Sequence, residues 1–379
     1  MKKLIVILLA AAILFSAAAC SAKETEETPE PVISEEPTPS PSETPAPSPS
    51  PSPSPTPTPT PTPSPSPTPT PEEKGPVHPL TGLPTEKDLT NARPLAFMMN
   101  NVSSAQPQLG ISKADLIFEV LVEGGLTRSL GVFQDVSGVG TIGSIRSSRP
   151  YYVDLVCGLD AIYIHAGGST DAYTTLYERG VDRLDGVNGS RQEIFYRDSD
   201  RLYSLGYEHS LVTSSELIEE YFPSYEFRME HRDGFDMDMH FAEDGTPAGG
   251  ESAKSLKVRF SASKSTSFEY KAADSLYYAS QYGSAYRDGY SGDQVAVTNI
   301  VILHADTYAY DDYGRLAIDL TGSGEGRFCC GGKTVPITWS KDSYNDWFRF
   351  HLEDGRPLTF GCGKTYFCII PLSGTVDFE

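Results

Sequence analysis

Apolar and polar positions are arranged in two different ways along this chain. Leu95–Asn100 is an apolar run entered from Pro94 and predicts a buried strand. Leu116–Glu123 is rich in strand formers and ends at Gly124-Gly125, and Thr127–Gln134 follows within hairpin distance. Pro150 suits the first turn of a helix, with Ser148 or Arg149 at its cap. Ala161–His165 is a short, continuously apolar strand. Ser169 caps a second helix that runs through Tyr177 and is stopped by Gly180. Thr213-Ser214-Ser215-Glu216 has capping-box spacing before a short helix ending near Phe222. Strands and helices therefore mix in this half, partly in the order β–α–β–α.

Beyond Glu243 the pattern changes. Asp244–Glu251 is a Gly/Pro-rich joint. After it, Val258–Phe260, Ser267–Tyr270, Ser275–Tyr278, Val295–His304, Leu316–Leu320, Lys333–Trp339, Trp347–His351 and Thr365–Pro371 alternate or run apolar between glycine turns. The expected architecture is mixed α/β (α+β): a mixed α/β domain over 75–243 and a β-rich domain over 244–379, each of ordinary domain size.

The first 74 residues do not fit a packed fold. Residues 1–20 carry Lys2 and Lys3, an apolar run from Leu4 to Phe15, and small residues leading to Cys20, the layout of a secretory signal. Ser16-Ala17-Ala18-Ala19-Cys20 resembles a bacterial lipobox, which implies lipidation of Cys20 and removal of what precedes it. The apolar run is short for a spanning helix. Residues 21–74 hold most of the 30 prolines in a Pro-Ser/Pro-Thr alternation. Such sequence cannot bury a core and is expected to be an extended, disordered spacer. At about 3.1 Å per residue, Pro37–Pro71 would reach on the order of 100 Å.

Charge narrows the partners. With 51 acidic and 30 basic side chains the net charge is −21 and no basic patch appears, which argues against nucleic acid. Any clustered arginines stand out against that background. Cys157 lies in an apolar helix and reads as core. Cys329, Cys330, Cys362 and Cys368 allow three disulfide pairings among which spacing does not choose. A Cys-Cys followed by Cys-x5-Cys is not a standard zinc spacing, so no metal is assigned, and no cofactor motif is present.

Familiar catalytic patterns mostly fail. Gly331-Gly332-Lys333-Thr334 and Gly361-Cys362-Gly363-Lys364-Thr365 suggest a phosphate loop, but Arg327 and Leu358 stand where its first glycine is needed. There is no Gly-x-Ser-x-Gly elbow and no His-Glu-x-x-His helix. What remains is Gly143–Ser169. Arg146 and Arg149 are three apart at a helix entrance, where free N–H groups and the helix dipole favour anions. His165 ends a strand, and Gly167-Gly168-Ser169 would let backbone approach a ligand at the next helix start. Arg128, Asn100, Glu119, Glu123 and His209 fall at or near predicted strand ends. The bland alternative pairs the arginines with Asp154 or another acid, makes the glycines a turn and satisfies His165 in the core.

Several stretches together resemble the YerB-like bacterial lipoproteins, whose two halves are both domains of unknown function. They include His78-Pro79-Leu80-Thr81-Gly82, Glu119-Val120-Leu121-Val122-Glu123-Gly124-Gly125, Ile145-Arg146-Ser147-Ser148-Arg149-Pro150-Tyr151, His165-Ala166-Gly167-Gly168-Ser169, Ile318-Asp319-Leu320-Thr321-Gly322-Ser323-Gly324 and Asp354-Gly355-Arg356-Pro357. The resemblance spans Pro76–Glu379. It implies sandwich-like layers and an envelope location, the outer face of the cytoplasmic membrane facing the cell wall; it implies no reaction. The expected function is binding of an anionic envelope ligand, such as a wall polymer, peptidoglycan fragment or phosphorylated carrier, through the N-terminal half. Arg146, Arg149, Arg128, Asn100, His165, Gly167, Gly168 and Ser169 are the binding candidates. A wall hydrolase or transferase using Glu123 and His165 as acid and base is the alternative, and a protein-interaction module within an envelope complex is a third.

Overall fold

The unbroken apolar runs become interior strands. β1 (Leu95–Asn100), β2 (Leu116–Leu121) and β3 (Thr127–Phe133) are buried at every position, as strands covered on both faces must be. The computed structural model describes Gly75–Glu379; the expected signal, Cys20 and the spacer lie outside the described residues. The main sheet also takes β4 (Ile162–His165) and β5 (Arg183–Asp185) from the first half of the folded sequence. The second half supplies β6 (Glu251–Ser252), β7 (Asn299–Ala305), β8 (Gly322–Cys330), β9 (Lys333–Lys341), β10 (Arg349–Leu352) and β11 (Thr365–Pro371). The strand order is β6–β9–β8–β7–β11–β2–β3–β1–β4–β5, with β10 also paired to β9.

The two halves join inside this sheet. β11 runs parallel to β2, from Leu116 beside Thr365 to Val120 beside Ile369, so the ladder crosses the sequence joint at 244–251 without a break. A second sheet contains Ser255–Arg259, Ser265–Lys271, Leu276–Gln281 and Thr375–Phe378. Its first three strands alternate between buried and more exposed positions, as a one-sided sheet requires. It covers the main-sheet face that carries Glu119, with Phe268 packed on Tyr366 at 5.0 Å. On the other face Phe118 stacks on Phe367 at 4.5 Å beside Trp347. The result is the mixed, layered α+β architecture that the sequence suggests.

Two helices frame the ends of the first-half strands. In α1 (Pro150–Gly158) the proline occupies the first turn. The Tyr151 hydroxyl donates to Leu121 O, and the Tyr152 hydroxyl to Val120 O and Arg128 O, which ties the helix to β2 and β3. In α2 (Thr170–Glu178) the Ser169 side chain accepts from Ala172 N at 3.2 Å, the cap expected of it.

Two local expectations change, and one open point closes. The capping box shifts by one residue: the helix is Ser215–Tyr221, its cap is Ser214, and Thr213 belongs to the strand Leu211–Ser214. β8 begins Gly-Ser-Gly-Glu-Gly, which reads as a turn, yet forms a long ladder with β9. Neighbours crowd its glycines: a Cβ on Gly324 would lie 2.6 Å from the Trp339 indole, and one on Gly326 2.4 Å from Ile302 O. Finally, Cys157, Cys329, Cys330, Cys362 and Cys368 are free thiols. Cys329 lies opposite Ile300 and Cys368 beside Ile302, so β7 stands between them. Burial pushes the Cys329 thiol up to about 12 and Cys330 up to about 11, which leaves both protonated and unreactive.

Candidate functional site

The segment before α1 is threaded between the ends of two strands. Arg146 donates its N–H to Met98 O at 2.7 Å and accepts from Ala166 N at 2.9 Å, and Ser148 N donates to Gly167 O at 2.9 Å. Gly167 sits at φ +72, a left-handed turn that favours glycine. The convergence expected from sequence therefore holds for Arg146, Gly167 and Gly168. They line an open cleft of about 330 Å³ together with Asn188, Arg197 and Tyr207. In it the Arg146 guanidinium meets Glu208 at 2.8 Å, a carboxylate that is 61% exposed. The Arg197 guanidinium lies 3.7 Å above the Tyr207 ring and donates to Tyr207 O.

The other sequence candidates are placed elsewhere. Arg149 grips Glu123 with two hydrogen bonds, Nε to Oε1 at 2.5 Å and Nη2 to Oε2 at 2.8 Å. Burial opposes the charged form of Glu123, but Arg149 overrides it and holds the carboxyl below its ordinary value. Glu123 is thus a standing carboxylate and a poor proton donor. His165 is fully buried, its Nδ1 at 2.9 Å from Gly167 O and its ring stacked on Tyr163. Burial lowers its pKa, and its Nε2 has no partner. Asn100 is buried and bonded to His209 Nδ1 at 3.0 Å. Asp154 pairs with Arg179 rather than with either motif arginine.

The glycine turn before α2 already holds an anion of its own. Asp185 accepts from Gly167 N at 2.8 Å, Val187 N at 2.9 Å and the Tyr173 hydroxyl at 2.6 Å. Burial pushes against it, yet these donors keep its carboxyl below the usual range. The two glycines thus shape the wall of the cleft, and the cationic groups facing it are side chains. Behind Ser147 lies Arg128, only 8% exposed, whose single side-chain hydrogen bond among the described residues goes to Ser147 O at 2.5 Å. Burial first, then the neighbouring Arg149 and Arg146, lower its pKa to about 10, so it remains charged at neutral pH. No carboxylate pairs with Arg128 or Arg197 among the described residues. Arg197 lies in the two-residue strand Tyr196–Arg197, and Tyr207 and Glu208 in the single 3-10 turn Tyr207–His209, elements too short to leave a periodic or spacing signal in the sequence.

Family models match two consecutive stretches of the chain. The N-terminal domain model described as "Protein of unknown function (DUF3048)" matches residues 80–228, and the C-terminal domain model of the same description matches residues 256–367. A Bacillus subtilis (strain 168) protein named "Putative lipoprotein YerB" is 30% identical over 296 residues, covering 77% of this chain and 86% of that protein. The crystal structure of YerB from Bacillus subtilis superposes with a TM-score of 0.68 at 29% identity, covering 79% of this chain and 99% of that one. With both domain models matched in order and a relative aligned over most of its length, the chain belongs to the DUF3048 family of YerB-like proteins.

Proposed function

We propose that this protein is anchored by a lipid on Cys20 at the outer face of a bacterial cytoplasmic membrane and binds an anionic envelope ligand in the Arg146–Arg197 cleft. The relative's name and the lipobox-like residues support the anchor. No helix among the described residues is long and apolar enough to cross a membrane. The observation that carries the binding reading is the unpaired cation: in a chain of net charge −21, the cleft is lined by Arg197 without a carboxylate and by Arg146 with only an exposed one, and Arg128, behind its Ser147 wall, has none either. A half-buried guanidinium without a counter-charge at the wall of a cleft is a ready partner for an incoming phosphate or carboxylate, which it grips by charge-assisted hydrogen bonds. Acid–base catalysis by Glu123 and His165 has less support, since one is held as a carboxylate and the other is enclosed.

The test is binding of purified wall polymer and peptidoglycan fragments to the full-length protein, compared with the Arg146→Ala/Arg197→Ala variant. The expected result is at least a tenfold loss, the worth of one or two charge-assisted hydrogen bonds of about 1.5–3 kcal/mol. Equal affinity of the two proteins for every fragment rules the cleft out. Arg149 is not a suitable probe, because its removal strands Glu123.

A further inference from the structure

Next to the first cleft lies a second, of about 380 Å³, and Asn188 lines both. The wall between them is short and internally bonded. The Asn188 side chain donates to the Tyr173 hydroxyl at 2.5 Å, and that hydroxyl donates to Asp185. The second cleft is lined by Arg183 and Arg191. Arg191 lies 4.2 Å above the Tyr225 ring, and its buried Nη1 has no hydrogen-bond partner. Arg183 donates only to Val181 O. Neither has a carboxylate partner among the described residues, although Asp182 and Asp185 line the same cleft. Of the arginines without a carboxylate, Arg197 lines the first cleft and Arg183 and Arg191 the second, with Arg128 behind the Ser147 wall of the first. Arg201 and Arg287 are also without a carboxylate, but they bond backbone carbonyls outside both clefts.

We infer that the two clefts form one groove that takes a linear anionic polymer, with successive charges of a single chain engaging Arg146 and Arg197 first and Arg183 and Arg191 next. This rests on the proposed anion reading and adds its ligand class. Asp182 and Asp185 do not face the polymer as bare charges, since Arg93 pairs with Asp182 and three donors cover Asp185. A small anion would occupy one cleft. A chain spanning both converts the second contact into an intramolecular one, so its affinity rises with length without any new type of contact.

The test titrates the full-length protein with orthophosphate, triphosphate and long-chain inorganic polyphosphate, with poly-glutamate as the carboxylate counterpart. Long-chain polymer is expected to bind at least about a hundredfold more tightly than triphosphate. Its affinity should also fall more steeply with salt, because each arginine engaged releases a counterion. Arg191→Gln, with Arg183→Ala as a second variant free of the aromatic stacking, should weaken the long chain several-fold and leave triphosphate unchanged. Arg146→Ala should weaken both. Length dependence with either polymer supports the groove, and the polymer that shows it identifies the anion. Equal affinity for triphosphate and long chain, or no effect of either second-cleft variant, overturns the polymer inference while the single-cleft reading stands. Absence of binding to every anion overturns both.

Discussion

Two polar clusters in the same molecule treat charge in opposite ways. At the junction of the two halves, Glu119 and Lys264 are completely buried and 3.0 Å apart. Glu119 also accepts from Asn101, Thr127, Thr266 and the Tyr366 hydroxyl at 2.6–3.0 Å, and Lys264 also donates to Gln281. Donors come from both halves, so the cluster locks the second sheet onto the main one. In the arginine groove, by contrast, charged side chains stand at the ends of short strands and in turns, with carboxylate partners that are exposed or absent. The comparison teaches how to separate scaffold from site. Burial of charge alone does not mark function, because a fully satisfied network is structural. A cation that lines a cleft with neither a counter-charge nor a full set of carbonyl partners, unlike the buried Arg201, asks for an anion from outside.

The largest effect should come from opening the closed cluster. Glu119→Ala leaves Lys264 buried without a counter-charge and should cost about 3–5 kcal/mol by urea unfolding, with anion affinity of the folded fraction unchanged. The double replacement Glu119→Leu/Lys264→Met should recover only part of that loss, because Asn101, Thr127, Thr266 and the Tyr366 hydroxyl then lack their acceptor. If Glu119→Ala is nearly neutral, or if it abolishes anion binding by the folded protein, the division between scaffold and site fails.

An intermediate case sharpens the comparison. Asp160 accepts from Arg228, Arg232 N and His231 at 2.6–3.2 Å, with Arg93 at 3.7 Å. Burial works against its charge, but His231 and Arg228 outweigh it and hold the carboxyl far below the ordinary range. A carboxyl whose folded pKa is depressed adds stability above its unfolded value near pH 3.9, and loses it as pH falls below that toward the folded value. Stability should therefore drop on acidification below about pH 4. Asp160→Asn, which suits the φ of +49 at this position, should cost about 3 kcal/mol at pH 7 and flatten the acid limb. A parallel acid limb in the variant would show that Asp160 is not the hub. The smallest effect belongs to Glu208, the exposed partner of Arg146. Glu208→Ala should change stability by less than about 0.5 kcal/mol and raise anion affinity up to a few-fold, the worth of one exposed pair. Weaker anion binding by this variant would mean that Glu208 helps hold the ligand.

Much of the scaffold was legible because it depends on local signals. Leu95–Asn100, Thr365–Pro371 and the Pro150 and Ser169 helix starts lie where apolar runs and caps placed them. β8 was missed because its glycines answer to Trp339 and Ile302, which sequence neighbours do not reveal. The same holds at the site. Arg146 was visible in its motif, whereas Arg197, Arg183 and Arg191 have no local pattern and acquire meaning only from the partners they lack. Arg149 and Arg146 look equivalent three residues apart; one is bound by Glu123 and the other faces the cleft.

The sequence by itself therefore determined the apolar strands, the helix caps, the family and the acidic background against which arginines matter. Each of these is set by side chains a few positions apart or by composition. Only the tertiary structure decided that Glu119 is a lock between the halves, that Asp185 occupies the glycine turn before α2, and which arginines remain unpaired. Ion pairing is a contact of a few ångströms between residues far apart in sequence, as between Glu119 and Lys264. Spacing along the chain carries no record of it.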